Sequence, residues 1–184
     1  ALMLSIRHNN ANIAEMLLNA GADILASNVD SFMSFFASNL ENWNDVHGAI
    51  VANDLNIIRS ASNEDLNQVT SSYKLSPLDL AIKLGNIEAI EALLERNVDH
   101  NIDKCLQSAV SAKRENVVKF FLERENQLNP GTIYNGRSTF HIACGINYTS
   151  IIPLLANYSM LSTNHKKSRR DDNYNQQEPR YNLN

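Results

Sequence analysis

The segment Ser76-Pro77-Leu78-Asp79-Leu80-Ala81-Ile82-Lys83-Leu84-Gly85-Asn86, with its sequel Ala92-Leu93-Leu94-Glu95, constrains this chain more than any other feature. It reads as a short helix, a tight reversal and a second helix. The same outline returns along the chain with altered residues. A unit of this size cannot bury its own apolar face, so successive units must lean on one another in a stacked array.

Alignment on the second helix of each unit places Ile13, Ile57, Ala89, Val117 and Ile151 at one position, separated by 44, 32, 28 and 34 residues. The pairs Leu17/Leu18, Ala61/Ser62, Leu93/Leu94, Phe121/Leu122 and Leu155/Ala156 follow at i+4 and i+5. That spacing marks a helix with one buried stripe. Ser76-Pro77 sets an N-cap hydroxyl before a proline at the first helical position, where the missing N–H costs nothing. Ser138-Thr139-Phe140-His141 repeats this without proline, and Val46-His47-Gly48-Ala49 and Cys105–Ala109 are weaker copies. Ser5, Ala49, Ala81, Ala109 and Ala143 are small at equivalent sites, which lets neighbouring helices approach closely. Gly21-Ala22-Asp23 ends the first unit's second helix, with glycine supplying a left-handed turn.

These motifs resemble the ankyrin repeat family, whose units run Gly-x-Thr-Pro-Leu-His-x-Ala-Ala-x-x-Gly-His and then Ile-Val-x-x-Leu-Leu-x-x-Gly-Ala-Asp. Ser76–Ala81 and Gly136–Ala143 carry the pattern best. A period near ~33 residues is that of ankyrin units. Five units start near Ala1, Asp45, Ser76, Lys104 and Gly136 and cover residues 1–158. The resemblance implies an all-α solenoid of stacked helix-turn-helix units. Ala61-Ser62 stands where the second unit should have two leucines. Its core is therefore expected to be thin, and the polar run Ser60 to Ser72 to bury little. The fourth unit lacks the Gly-x-Thr-Pro turn, which predicts a shortened finger loop.

Two segments fall outside the period. Phe32, Phe35, Phe36, Leu40 and Trp43 lie at helical spacing within residues 25–44, which reads as an inserted helix packed on the stack; a degenerate extra repeat is the alternative. Residues 159–184 have no apolar periodicity and read as a polar, disordered tail. Its run Lys166-Lys167-Ser168-Arg169-Arg170 is followed at once by Asp171-Asp172 and reads as solvated.

The formal net charge of -4 argues against nucleic acid as a partner. No apolar run approaches the ~20 residues that span a bilayer. Two cysteines, Cys105 and Cys144, are too few for a disulfide framework, so a reducing, cytoplasmic setting is expected. The chain starts without Met and inside a repeat, which suggests a fragment. The abundance of asparagine reads as a product of genome composition more than of physical demand.

Chemistry finds little purchase. Cys144 lies three residues after His141, but a small-residue core position suits the cysteine and the family's turn-histidine position suits His141, as it does His47. The five histidines and two cysteines form no metal-site spacing. Glu64-Asp65 reads as an acidic first turn, and Glu115 with Lys119 as an exposed i, i+4 pair. No catalytic residue, metal or cofactor is expected.

The resemblance implies a non-catalytic scaffold that binds another protein through a concave face of finger loops and first helices. Its contact positions transfer to Tyr73 and Leu75 on the third unit's finger, Lys83 on that unit's first helix, and Tyr134, Asn135 and Arg137 before the fifth unit. Tyrosine and arginine often dominate interfaces energetically. The chain is expected to act as a monomer, without nucleic acid or membrane. The alternative is the ankyrin portion of a larger enzyme or bacterial effector whose activity lies elsewhere.

Overall fold

The computed structural model describes residues 1–20, 22, 29–39, 41–70, 74–124 and 128–159. These form α1 (Leu2–Arg7), α2 (Ala11–Asn19), α3 (Val29–Asn39), α4 (Asp45–Ala52), α5 (Leu55–Ser60), α6 (Asn63–Asn67), α7 (Pro77–Leu84), α8 (Ile87–Glu95), α9 (Ile102–Ser111), α10 (Glu115–Arg124) and α11 (Thr139–Gly145). A 3-10 turn, Thr149–Ile151, leads into α12, residues 152–159. Among the described residues there is no strand; one isolated bridge joins Tyr134 and Arg137.

The period is written in the backbone. Asn9, Asn53, Gly85, Lys113 and Asn147 all have positive φ, and each sits where a first helix reverses into a second. They fall 44, 32, 28 and 34 residues apart, the same spacings as the apolar stripe. The left-handed region is closed to most side chains but open to glycine and tolerated by asparagine. Among the described residues, six of the eight non-glycine residues there are Asn9, Asn42, Asn53, Asn97, Asn135 and Asn147. At these six positions asparagine meets a physical demand.

Helices α4, α7, α9 and α11 form one row, each touching the next. Behind them α5, α8 and α10 form a second row. The core runs between the rows through Ile50, Ile58, Leu80, Ile82, Ile90, Leu93, Leu106, Val117 and Phe121, all nearly inaccessible. Each such side chain contributes about 1.5–3 kcal/mol on burial. Polar bonds between units satisfy carbonyls that helix ends leave unpaired. Asn86 donates from Nδ2 to the Ile50 carbonyl (3.1 Å) and to Asn53 Oδ1 (3.0 Å). Arg114 Nε donates to the Lys83 carbonyl (2.6 Å), and Asn116 Nδ2 to that of Gly85 (3.0 Å). Arg96 reaches the carbonyls of Arg59 and Ala61.

The first unit joins the row off register. Helices α1 and α2 pair with each other, α1 meets α3, and α2 meets α7. It is α3 that packs against α4. Phe35 and Phe36 are buried there, and Phe36, Trp43 and His47 stack in sequence with ring centroids 5.2 and 5.0 Å apart. Gly21, Leu40 and residues 160–184 lie outside the described residues, the basic run of the tail included.

The structure revises three local expectations. The run Ser60 to Ser72 contains a helix, α6, capped by Ser62 and carrying Glu64 and Asp65 in its first turn. Leu66 and Thr70 are buried, so this stretch buries more than its polarity implied. In the fourth unit α9 begins at an Asn101 cap, three residues before the start placed at Lys104, so an added helical turn replaces most of a finger loop. Cys144 is exposed, not a core residue, because α11 belongs to the last unit of the row.

Candidate functional site

The residue two places before a unit's small residue holds the next finger in two of the units. His47, Asp79, Gln107 and His141 precede Ala49, Ala81, Ala109 and Ala143 in this way. His47 donates from Nε2 to the carbonyl of Leu75, 3.2 Å away, while Nδ1 faces the Asn44 N–H. Burial pushes the His47 imidazole down to about 4, with the bond to Leu75 opposing. Gln107 does the same for the fifth finger: its Nε2 donates to the Arg137 carbonyl at 2.8 Å. His141 closes its own cap, accepting on Nδ1 from the Ser138 N–H at 3.2 Å. These bonds bear out the turn reading of His47 and His141.

Asp79 cannot donate, so the third unit reverses the polarity. Lys104 Nζ comes across from α9 to Asp79 Oδ2 at 2.6 Å. The carboxylate side chain is only 8% exposed, whereas the lysine is 49% exposed. Lys83, one turn after Asp79, is also buried. Desolvation lowers its pKa below the ordinary lysine value, Asp79 opposing and Lys104 reinforcing.

The fingers are built locally. On the third, the Thr70 N–H donates to the Leu75 carbonyl and the Leu75 N–H to Thr70 Oγ1, both at 3.1 Å. On the fifth, Tyr134 and Arg137 exchange backbone bonds of 2.9 and 3.2 Å around Asn135 and Gly136, at φ 51 and 76°. Two successive positive φ values give a tight hairpin, for which Asn-Gly is the favoured pair.

Fingers and first helices together line a groove of about 360 Å³. Lys74 and Leu75 come from one finger, Tyr134 and Asn135 from the other. Asp79 and Lys83 on α7, Lys104, Gln107, Ser108 and Ser111 on α9, and Ile142 on α11 make its floor.

The predicted contact residues divide among several places. Tyr134 is half-buried and Asn135 exposed on the groove. Arg137 is exposed beside it, its carbonyl held by Gln107. Lys83 lines the groove at 7% exposure, as part of the floor and not as an outstretched arm. The expectation of an exposed Leu75 is corrected: the closure by Thr70 turns it inward, and 1% of it remains accessible. Tyr73 lies outside the described residues. Lys104, Asp79 and Gln107 are groove residues that the contact positions did not include, although aligning Ala109 with Ala81 already placed Gln107 and Asp79 at the turn-histidine position. The Asn135-Gly136 pair was likewise a legible hairpin signal.

Among the described residues no group of three or more His, Cys, Asp or Glu could hold a metal ion, and no helix is long and apolar enough to cross a membrane. Cys105 is buried, and burial together with Asp79 pushes its thiol up to about 12. No curated protein matches the chain. A family model does: that of the ankyrin repeat matches residues 1–29 and 73–104.

Proposed function

This chain belongs to the ankyrin repeat family, and from that premise we propose that it binds a partner protein through the groove between its finger turns and first helices. Ankyrin repeats generally serve as protein–protein interaction modules and are typically non-catalytic. The observation that carries the reading is the rim: the bonds from His47 and Gln107 fix two fingers from behind, and the second finger, on which Arg137 is exposed, lends Tyr134 and Asn135 to the opening. A preorganised rim lowers the ordering cost of association. Residues 1–158 serve as the repeat domain and residues 159–184 as a polar extension. The chain acts as a monomer, and a cytoplasmic setting suits its unpaired cysteines.

The test is a set of binders selected from a displayed-protein library on the intact chain. Tyr134→Ala should weaken them by more than about 2 kcal/mol if the tyrosine is an interface anchor. The same change in a half-exposed side chain should move stability by only about 0.5 kcal/mol. Binders indifferent to Tyr134→Ala and Arg137→Ala alike would refute the assignment of this face.

A further inference from the structure

The groove's charge runs against that of the chain. The sequence carries a formal net charge of -4, yet the groove holds three lysines, Lys74, Lys83 and Lys104, against a single carboxylate, Asp79. That carboxylate is nearly buried and already bonded by Lys104 and by Ser76 Oγ, so it presents little negative charge to the opening. We propose that the groove selects an acidic, extended segment of the partner protein and seats a carboxylate against Lys104 and Lys83. This rests on the reading of the face as a protein-binding surface and names the chemistry of what binds there.

Three observations converge on it. Lys104 is half exposed and directs its ammonium into the groove at Asp79, so an incoming carboxylate finds a cation already positioned. Charge-assisted hydrogen bonds of this kind are short and strong, and cost least when the cation is fixed in advance. A volume of about 360 Å³ lies at the small end for binding sites and suits a few side chains of an extended segment. The hydroxyls of Ser108, Ser111 and Tyr134 add donors along the same path.

The experiment measures fluorescence anisotropy of a labelled ten-residue glutamate peptide on the full chain, beside equal-length glutamine and lysine peptides and a ten-nucleotide thymidine strand. The glutamate peptide should bind at least tenfold tighter than the other three, and more weakly as salt rises. Lys104→Gln should reduce that affinity at least fivefold. Lys119→Gln, which removes an equally exposed lysine from α10, should leave it unchanged. Melting curves of both variants confirm that they fold. Equal binding of glutamate and glutamine peptides overturns the proposal, as does equal loss from Lys104→Gln and Lys119→Gln. Tighter binding of the nucleic acid also overturns it. Panning a random peptide library on the chain separates the two readings. Non-acidic binders that are lost on Tyr134→Ala sink the charge preference alone. Binders insensitive to both Tyr134→Ala and Lys104→Gln sink the groove as well.

Discussion

His47 Nε2 and the carbonyl of Leu75 meet at 3.2 Å across the boundary between the second and third units. The carbonyl can only accept, so the proton sits on Nε2. Nδ1 lies against the Asn44 cap, 2.6 Å from Asn44 Oδ1 and 3.4 Å from the Asn44 N–H. Gln107 and the Arg137 carbonyl repeat the relationship between the fourth and fifth units, with an amide in place of the imidazole. A finger is thus positioned by the preceding unit, which ties the shape of the binding rim to the integrity of the stack.

The first prediction follows from burial of that ring. Its native pKa is pushed down to about 4 from an ordinary 6.5. Between those values the unfolded chain binds the proton and the native chain does not. His47 therefore contributes stability fully above pH 6.5, and the contribution is lost as pH falls toward 4. The shift corresponds to roughly 3 kcal/mol. His47→Gln keeps a donor for Leu75, as Gln107 does for Arg137, and removes the titration. Urea unfolding followed by circular dichroism at pH 7.5, 6 and 5 should show a flatter pH dependence in the variant. Parallel slopes would remove His47 as the cause.

Glycine substitutions should have opposite signs at two sites. Gly85 turns α7 into α8 at φ 78°, and a Cβ there would lie 3.3 Å from Arg114 Cδ. Gly85→Ala should cost about 1–2 kcal/mol through the left-handed conformation alone. It should also disturb the Arg114 bond to the Lys83 carbonyl. Gly145 closes α11, and nothing lies within 4 Å of the point where an alanine methyl would stand. Gly145→Ala should raise stability by about 0.5–1 kcal/mol. Thermal melts of the two variants decide this, and a shared sign would contradict the structural account.

Much of this architecture was legible because stacking leaves a periodic trace. The stripe from Ile13 to Ile151 and the small residues from Ser5 to Ala143 report the buried faces, and the left-handed residues fall at the same spacings. What stayed hidden was set by relations between units. Lys104 looked like the start of a helix; its partner Asp79 lies 25 residues away and no local pattern links them. Leu75 sat on a finger, and only its closure by Thr70 turns it into the core. The polar run after Ser60 concealed α6, whose five residues bury a single leucine, Leu66, too little to show a period. The meeting of α2 with α7 has no sequence signature, since it depends on how α3 fills the space beside α4.

The two cysteines should differ sharply toward a thiol reagent. Cys105 is buried in α9, and its thiol is pushed up to about 12, so almost no thiolate exists at neutral pH. Cys144 is exposed on α11. Titration with an aromatic disulfide at pH 7.5 should release one equivalent from the native chain and two in denaturant. A Cys144→Ser variant should abolish the native reaction. Rapid release of two equivalents under native conditions would show that the fourth unit opens far more readily than its packing implies.

Local opening should begin at α5. Only Ile58 is buried on that helix, whereas α8 buries Ala89, Ile90, Ala92, Leu93 and Leu94. Ile57 remains 39% exposed, and cavities of about 240 and 370 Å³ flank it against α4. Opening free energy scales with the apolar contacts that must be broken. Truncation of one buried core residue such as Leu93 to alanine would cost about 2–5 kcal/mol, and α8 anchors itself with Ile90, Leu93 and Leu94 where α5 has Ile58 alone. Native-state hydrogen exchange read by mass spectrometry should therefore find faster exchange across residues 55–60 than across residues 87–95. Because Arg96 holds the carbonyls of Arg59 and Ala61, Arg96→Ala should widen that difference. Equal protection in the two helices would mean that the row opens only as a whole.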